Sequence, residues 1–317
     1  MRVLFLGTPE FALPSLKKLL SSPYEVAAVV TQPDRPAGRG QHLQAPPVKV
    51  LAEEGGLPVL QPGKIRDPQY QEALQRYEPD FLVVVAFGQI LPRWLLQVPR
   101  LGPVNVHASL LPLYRGAAPV QWAIMNGERE SGVTTMLMEE SLDTGPILIQ
   151  QRVPLPDSVT AGELSAQLAE AGAALLLPTL DGLKEGTIQP VPQDDGRATY
   201  APRITKEMSR IDFERDAVSI CSQIRALNPW PMASTVFHGE QLRVHLARAA
   251  GGAAQQGAAP GTFLGSSREG LLVQCGAGSI IELLGVQLAG RNLVTGRAFA
   301  NGSRLKPGDL PFEPRHY

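Results

Sequence analysis

The chain has 317 residues, 44% hydrophobic and 19% charged, with 29 Lys+Arg against 30 Asp+Glu for a formal net charge of −1. That balance excludes disordered and fibrous classes, and the length predicts about two domains of ordinary size. The longest apolar run, Phe81 to Phe87, is far short of the roughly 20 residues that span a bilayer. With no signal-like N-terminus, the sequence predicts a cytoplasmic protein without a membrane partner.

Over the first two hundred residues short apolar runs alternate with helical spacing. Val3 to Gly7 reads as a buried strand, and Phe11, Leu13, Leu16, Leu19 and Leu20 give Glu10 to Leu20 a helical face. Further strands are expected at Val26 to Thr31, Pro58 to Leu60, Phe81 to Ala86 and Val104 to His107, with helices at Pro47 to Glu54, Pro68 to Tyr77 and Ala118 to Asn126. The strands Val133 to Met138 and Ile147 to Val153 and the helix Ala161 to Leu177 complete the series. Such βα alternation predicts an α/β, doubly wound, mostly parallel Rossmann-like sheet, with ligands outside the strand C-termini.

The pattern stops in Gln189-Pro190-Val191-Pro192-Gln193-Asp194-Asp195-Gly196, whose composition is that of a linker. We therefore expect a catalytic domain over 1–188, a linker over 189–205 and a second domain over 206–317. In the latter, a helix (Asp216 to Leu227) precedes short strands at Ser234 to Phe237, Leu242 to Ala247, Thr262 to Leu264, Leu271 to Cys275 and Ile280 to Leu284. That spacing predicts a small OB-like β-barrel. Residues 1–202 hold 16 Lys+Arg against 21 Asp+Glu (−5) and residues 203–317 hold 13 against 9 (+4), so the C-terminal part suits a polyanionic partner better. Cys221 and Cys275 are far apart in apolar surroundings and read as buried thiols.

Common fingerprints are missing. The turn Gly7-Thr8-Pro9-Glu10 fits neither GxGxxG nor a phosphate loop, and there is no G-x-S-x-G nucleophile elbow. What remains is Asn105-Val106-His107, then Ala108-Ser109-Leu110-Leu111-Pro112, and the turn Ser141-Leu142-Asp143-Thr144-Gly145. Residues i and i+2 of a strand share a face, so Asn105 and His107 project side by side. Taken singly they read as a strand-end cap and a buried histidine. An Asn, a His and an Asp at strand ends of one doubly wound sheet read as a site.

These stretches resemble a known family, the methionyl-tRNA formyltransferases, within the wider 10-formyltetrahydrofolate-dependent transformylases. The resemblance rests on Phe5-Leu6-Gly7-Thr8-Pro9-Glu10-Phe11, the run Thr31 to Gly40, Val84-Val85-Ala86-Phe87-Gly88, Asn105 to Pro112, Tyr114 to Pro119, Leu142-Asp143-Thr144-Gly145 and Asn228-Pro229-Trp230-Pro231. It implies transfer of a formyl group from 10-formyltetrahydrofolate, a cosubstrate, to the methionine α-amino group of initiator Met-tRNA, with no metal. A related formyltransferase acting on an amino sugar nucleotide, or a 10-formyltetrahydrofolate hydrolase-type domain, is the alternative.

Under the resemblance, Asn105, His107 and Asp143 are the catalytic residues. Asn105 would donate to the developing oxyanion, His107 would exchange protons near neutral pH, and Asp143 would orient it. Phe87, Gly88, Ile90, Ser109, Leu110, Leu111, Pro112, Met138, Glu140 and Leu142 would line the folate site. Arg35 and Arg39, on the Gly- and Pro-rich stretch from Asp34 to Val48, together with Lys206 and Arg210, would bind tRNA. Arg243, Arg248, Arg291, Arg297, Arg304 and Lys306 are further candidates for phosphate contacts. The protein is expected to act as a monomer.

Overall fold

The computed structural model describes residues 1–37, 42–251 and 257–312. Arg39, named above for tRNA binding, lies outside them. The chain divides into two compact units, the first made of Met1–Pro119, Glu130–Pro154 and Ser165–Ala201, the second of Val120–Arg129, Leu155–Leu164 and the chain from Pro202 onward.

The elements run β1 (Arg2–Gly7), α1 (Leu13–Leu20), β2 (Glu25–Val30), β3 (Arg35–Ala37), β4 (His42–Gln44), α2 (Pro47–Glu54), β5 (Val59–Leu60), α3 (Gln69–Gln75) and β6 (Phe81–Val85). They continue with α4 (Arg93–Leu96), β7 (Gly102–His107), β8 (Arg115–Gly116), α5 (Pro119–Met125), β9 (Glu130–Leu137), β10 (Ile147–Pro154), α6 (Ala161–Glu185) and β11 (Tyr200–Ala201). The main sheet has the order β10-β9-β7-β6-β1-β2-β5. Its five strands from β7 to β5 are parallel, whereas β9 runs antiparallel to β7 and β10 antiparallel to β9.

The apolar strands bury both faces, as parallel sheets do. On one face Val3, Phe5, Val83, Val85, Val104 and Val106 pack with Leu16 and Leu19 of α1, Val48 and Ala52 of α2, and Leu176 and Leu180 of α6. On the other, Leu4, Leu6, Leu82 and Val84 pack with Leu74 of α3 and Leu95 of α4. Asn105 and His107 therefore leave β7 on the α3/α4 face, opposite Val104 and Val106.

Two stretches depart from the sequence reading. Within the Gly- and Pro-rich stretch from Asp34 to Val48, β3 and β4 pair antiparallel, Arg35 facing Gln44 and Pro36 facing Leu43. Residues 189–201, within the stretch expected as a linker, are built into the first unit: Val191 exchanges backbone hydrogen bonds with Ile147 at 2.8 Å each way, and β11 pairs with β8. Composition alone does not reveal the second case, because the partners of residues 191–201 lie tens of residues away.

In the second unit, α7 (Ala217–Ala226), capped by Asp216 accepting from Ser219 N, packs on a sheet of β12 (Ser234–Phe237), β13 (Glu240–Ala250), β14 (Phe263–Ser266), β15 (Leu271–Gln274) and β16 (Ile280–Leu288). β17 (Val294–Thr295) pairs with β16, and α8 (Gly296–Gly302) follows. The sheet order is β12-β13-β16-β15-β14, and one stretch meets both of its edges. Phe312 bridges Phe237 on β12, while Phe263 N on β14 donates to Asp309 O at 2.8 Å and accepts at its carbonyl from Gly308 N at 2.9 Å. Residues 308–312 thus turn the open sheet into a small barrel and satisfy edge groups that would otherwise be unpaired. Cys275 is buried, its thiol pushed up to about 12 by desolvation, and Cys221 is pushed up to about 11 by the same cause. Both cysteines are free.

Candidate active site

Strand order reverses at β1, whose neighbours are β2 on one side and β6 on the other. In doubly wound sheets such a switch point opens a crevice at the strand C-termini. Here it falls between Gly7-Thr8 and Ala86-Phe87, and Thr8 Oγ1 spans it by donating to Phe87 O at 3.0 Å. Gln32 Nε2 donates to the same carbonyl at 3.2 Å, and its Oε1 accepts from Arg35 Nη2 at 3.0 Å. Next to them is a groove of about 530 Å³, whose lining includes Gln32, Arg35, Lys64, Arg66, Gly88 and Ile90. Behind it, Lys49 donates to Asp34 at 2.8 Å and Gln61 Nε2 at 2.7 Å. These hydrogen bonds, that of Lys49 first, hold the Asp34 carboxyl below its usual range.

His107, 7% exposed, is the centre of the second cluster. Its Nε2 lies 3.0 Å from the Tyr114 carbonyl, and a carbonyl only accepts, so Nε2 carries a proton. In the neutral ring Nδ1 is then the basic nitrogen. Asp143 Oδ2 lies 3.7 Å from it and also accepts from Gly116 N at 2.8 Å. Asn105, two residues back on the same face, has a buried Oδ1 without a hydrogen-bond partner.

Asp143 reaches this place by an indirect route. The antiparallel β9 carries the chain away from His107, and Met138 N donates to Pro103 O at 2.8 Å. The turn 138–146 then returns. Asp143 sits in it at φ 54°, a left-handed conformation that costs a non-glycine residue on the order of 1 kcal/mol. Gln193 ties the turn down, its Nε2 donating to Asp143 O at 2.9 Å and Gly145 O at 2.7 Å. Gln193 Oε1 accepts from Arg115 Nε at 3.1 Å and Nη2 at 2.9 Å, and Arg115 Nη2 also meets Asp195 Oδ1 at 2.7 Å. Thr199 fixes the Tyr114 side: its Oγ1 accepts from Tyr114 N at 2.8 Å and its carbonyl from Arg115 N at 2.9 Å.

Gly145 leaves no room for a side chain, because a Cβ there would stand 1.8 Å from Leu137 O. Gly145→Ala must therefore displace the turn, and the expected result is a destabilisation of about 1–3 kcal/mol together with a loss of turnover. Thermal melting and initial rates check this; a variant with unaltered melting and rate would mean that the turn has slack.

The sequence-derived folate residues fall into two groups. Gly88, Ile90, Glu140 and Leu142 are exposed, with Glu140 in an ion pair with Arg93 at 3.3 Å, and Met138 is half-buried against the cluster containing Val84 and Phe87. The others are occupied within the fold. Phe87 is 2% exposed, and its carbonyl is taken by Thr8 and Gln32. Ser109 Oγ donates to Leu113 O at 2.6 Å, Leu110 packs on Gly132, and Leu111, before a cis Pro112, is buried with its carbonyl accepting from Gln150. Of the tRNA candidates, Arg35 is on β3, Lys206 is exposed and Arg210 is half-buried at a bridge to Ser234. Arg248 pairs with Glu282 at 2.6 Å. Sequence reasoning missed Gln193 and Thr199 as neighbours of the site; Arg115 was noticed only as part of a motif.

The first unit is a doubly wound α/β fold with an Asn, a His and an Asp gathered at the C-terminal end of β7, two strands from the switch strand β1. The chain belongs to the formyl transferase family, whose description "Formyl transferase" matches residues 1–180 and "Formyl transferase, C-terminal domain" residues 203–304. Its similar relatives are named methionyl-tRNA formyltransferase: one from Synechococcus sp. is 49% identical and covers 97% of each chain. Another from Citrifermentans bemidjiense is 47% identical, covering 98% of this chain and 96% of the relative. Among solved structures, the sugar 3N-formyl transferase WlaRD, crystallised with dTDP and 5-N-formyl-THF, shares the fold at TM-score 0.66 and 18% identity, covering 92% of this chain and 99% of that one. The Helicobacter canadensis N-formyltransferase, complexed with folinic acid and dTDP-3-aminofucose, does so at TM-score 0.65 and 19% identity, over 89% and 98%. No helix among the described residues is long and apolar enough to cross a membrane.

Proposed function

We propose that the chain moves the formyl group of 10-formyltetrahydrofolate to the α-amino group of methionine on initiator Met-tRNA, working as a monomer in the cytoplasm. The observation that carries this reading is the trio itself: Asn105 and His107 on one face of β7, with Asp143 3.7 Å from the basic nitrogen of His107. Near-full-length identity to the named relatives supports the choice of substrate.

The cosubstrate supplies the formyl carbon. As the methionine nitrogen bonds to that carbon, the formyl oxygen gathers negative charge, which the Asn105 amide stabilises by donation. The buried amide oxygen of Asn105 has no protein donor, so it is left to accept from a group brought in with the substrates, such as an N–H of the attacking amine, while the amide N–H faces the formyl oxygen. His107 Nδ1 takes the proton of the attacking nitrogen and returns one to the departing folate nitrogen as the old carbon–nitrogen bond breaks. The Asp143 carboxylate stabilises the imidazolium in between. A unit-charge pair at about 4 Å is worth about 1 kcal/mol in water and about 4 kcal/mol where partly desolvated, so the burial of both side chains matters. The folate would lie along Gly88, Ile90, Met138, Glu140 and Leu142, next to the groove with Gln32.

We assign the chemistry to residues 1–188 and tRNA binding to 206–317, assisted by Arg35 and Arg39. The test is labelled formyl transfer to charged initiator tRNA, charged elongator tRNA and a dTDP-amino sugar. Transfer to the initiator alone is expected; transfer to the sugar and not to tRNA would replace this reading with the sugar one. Arg39→Ala and Lys206→Ala should each raise KM for Met-tRNA, leave KM for the folate unchanged, and lower the salt slope of tRNA binding by about 1. Equal KM and slope in a variant would remove its residue from the tRNA site.

A further inference from the structure

Residues 191–201 approach both neighbours of His107, through Thr199 on the Tyr114 side and Gln193 on the Asp143 side. The geometry points to Gln193 as a positioning residue for formyl transfer, its carboxamide holding the Asp143 turn so that the carboxylate faces His107 Nδ1. This inference rests on the reading above, in which Asp143 stabilises protonated His107.

Gln193 spends its whole hydrogen-bonding capacity here. Its two N–H groups go to the carbonyls of Asp143 and Gly145, and its oxygen takes two donors from Arg115. Arg115 is 2% exposed, so its guanidinium has one place to sit, and a buried cation needs those acceptors. Donation by a cation polarises the carboxamide and strengthens its own N–H donors. The adjoining residue contributes from the other side, since Gly116 N donates to Asp143 Oδ2. The left-handed turn is thus gripped at its backbone by Gln193 and at its carboxylate by Gly116. A fixed acid beside His107 is what the proton transfer needs, and Asp143 is the acid brought within ion-pair distance of His107 among the described residues.

The test uses the full-length protein with Gln193→Met, which keeps the length and loses the hydrogen bonds, and Gln193→Glu, which keeps the acceptor for Arg115 and loses the donors. Both should lower kcat on the order of tenfold to a hundredfold, with KM for folate and Met-tRNA unchanged. The acid limb of the kcat–pH profile should move to lower pH, because the imidazolium is less stabilised. In an Asp143→Asn background, Gln193→Met should cost nothing further. A purely packing role would lower thermal stability and leave the pH profile in place. If Asp143→Asn alone keeps the wild-type rate, the reading of Asp143 fails and this proposal with it. If Asp143→Asn is slow but both folded Gln193 variants keep wild-type rate and profile, or the losses multiply in the double variant, the proposal alone is overturned. Should Gln193→Met fail to fold, Gln193→Glu decides by the same criteria.

Discussion

His107→Gln is expected to lower kcat by about 10²- to 10⁴-fold, the usual range for a lost general acid–base group, with both KM values nearly unchanged. Glutamine is chosen over alanine because Nε2 of His107 serves the Tyr114 carbonyl, 3.0 Å away, in a site that is 7% exposed. An amide N–H can replace that donor, whereas alanine would leave the carbonyl unpartnered and open a void, adding a stability cost of about 1–3 kcal/mol unrelated to chemistry. With the donor kept and the basic nitrogen gone, a loss of rate reports on proton transfer. Circular dichroism melts establish that the variant is folded. A folded His107→Gln enzyme within about threefold of wild type, far less than the range above, would remove His107 as the base.

How far the sequence reached depended on whether each feature was local. Helix α2 falls at Pro47–Glu54 as expected, because Pro46 and Pro47 start it and the two glycines after Glu54 end it. The shared face of Asn105 and His107 follows from strand period alone. The position of Asp143 does not, since it depends on β9 being antiparallel and on a returning turn, neither of which has a sequence period. Gln193 was hidden for a related reason: a Pro-rich stretch looks the same whether its backbone faces water or, as Val191 does, bonds to Ile147. The barrel's strands could be read from their β-rich runs, but the stretch 308–312 that meets both edges has no such run. Ser109 and Leu111 belong to a recognisable motif, but that their groups also bond within the loop and pack in the fold is set by contacts the motif does not show.

Asn105 supplies the second large effect, and its two variants separate charge from shape. Asn105→Ala removes one oxyanion donor, for which a loss of about 10²- to 10³-fold in kcat is expected. It also removes a buried amide whose Oδ1 has no partner, so the folded protein should be no less stable, with any gain limited to the release of that unsatisfied group, on the order of 1 kcal/mol. Stability lost at a site and rate lost at a site usually go together; here they should part, as expected of a residue kept for chemistry at some cost to the fold. Asn105→Asp keeps the size but sets a carboxylate where negative charge develops, so it should be slower than Asn105→Ala despite being closer in shape. KM for the folate should change little in either, because the interaction strengthens in the transition state. Steady-state rates with each substrate varied, beside thermal melts of the three proteins, give the comparison. An aspartate variant faster than the alanine variant would mean that Asn105 does not face the developing charge, and the oxyanion role would have to move to backbone N–H groups near His107.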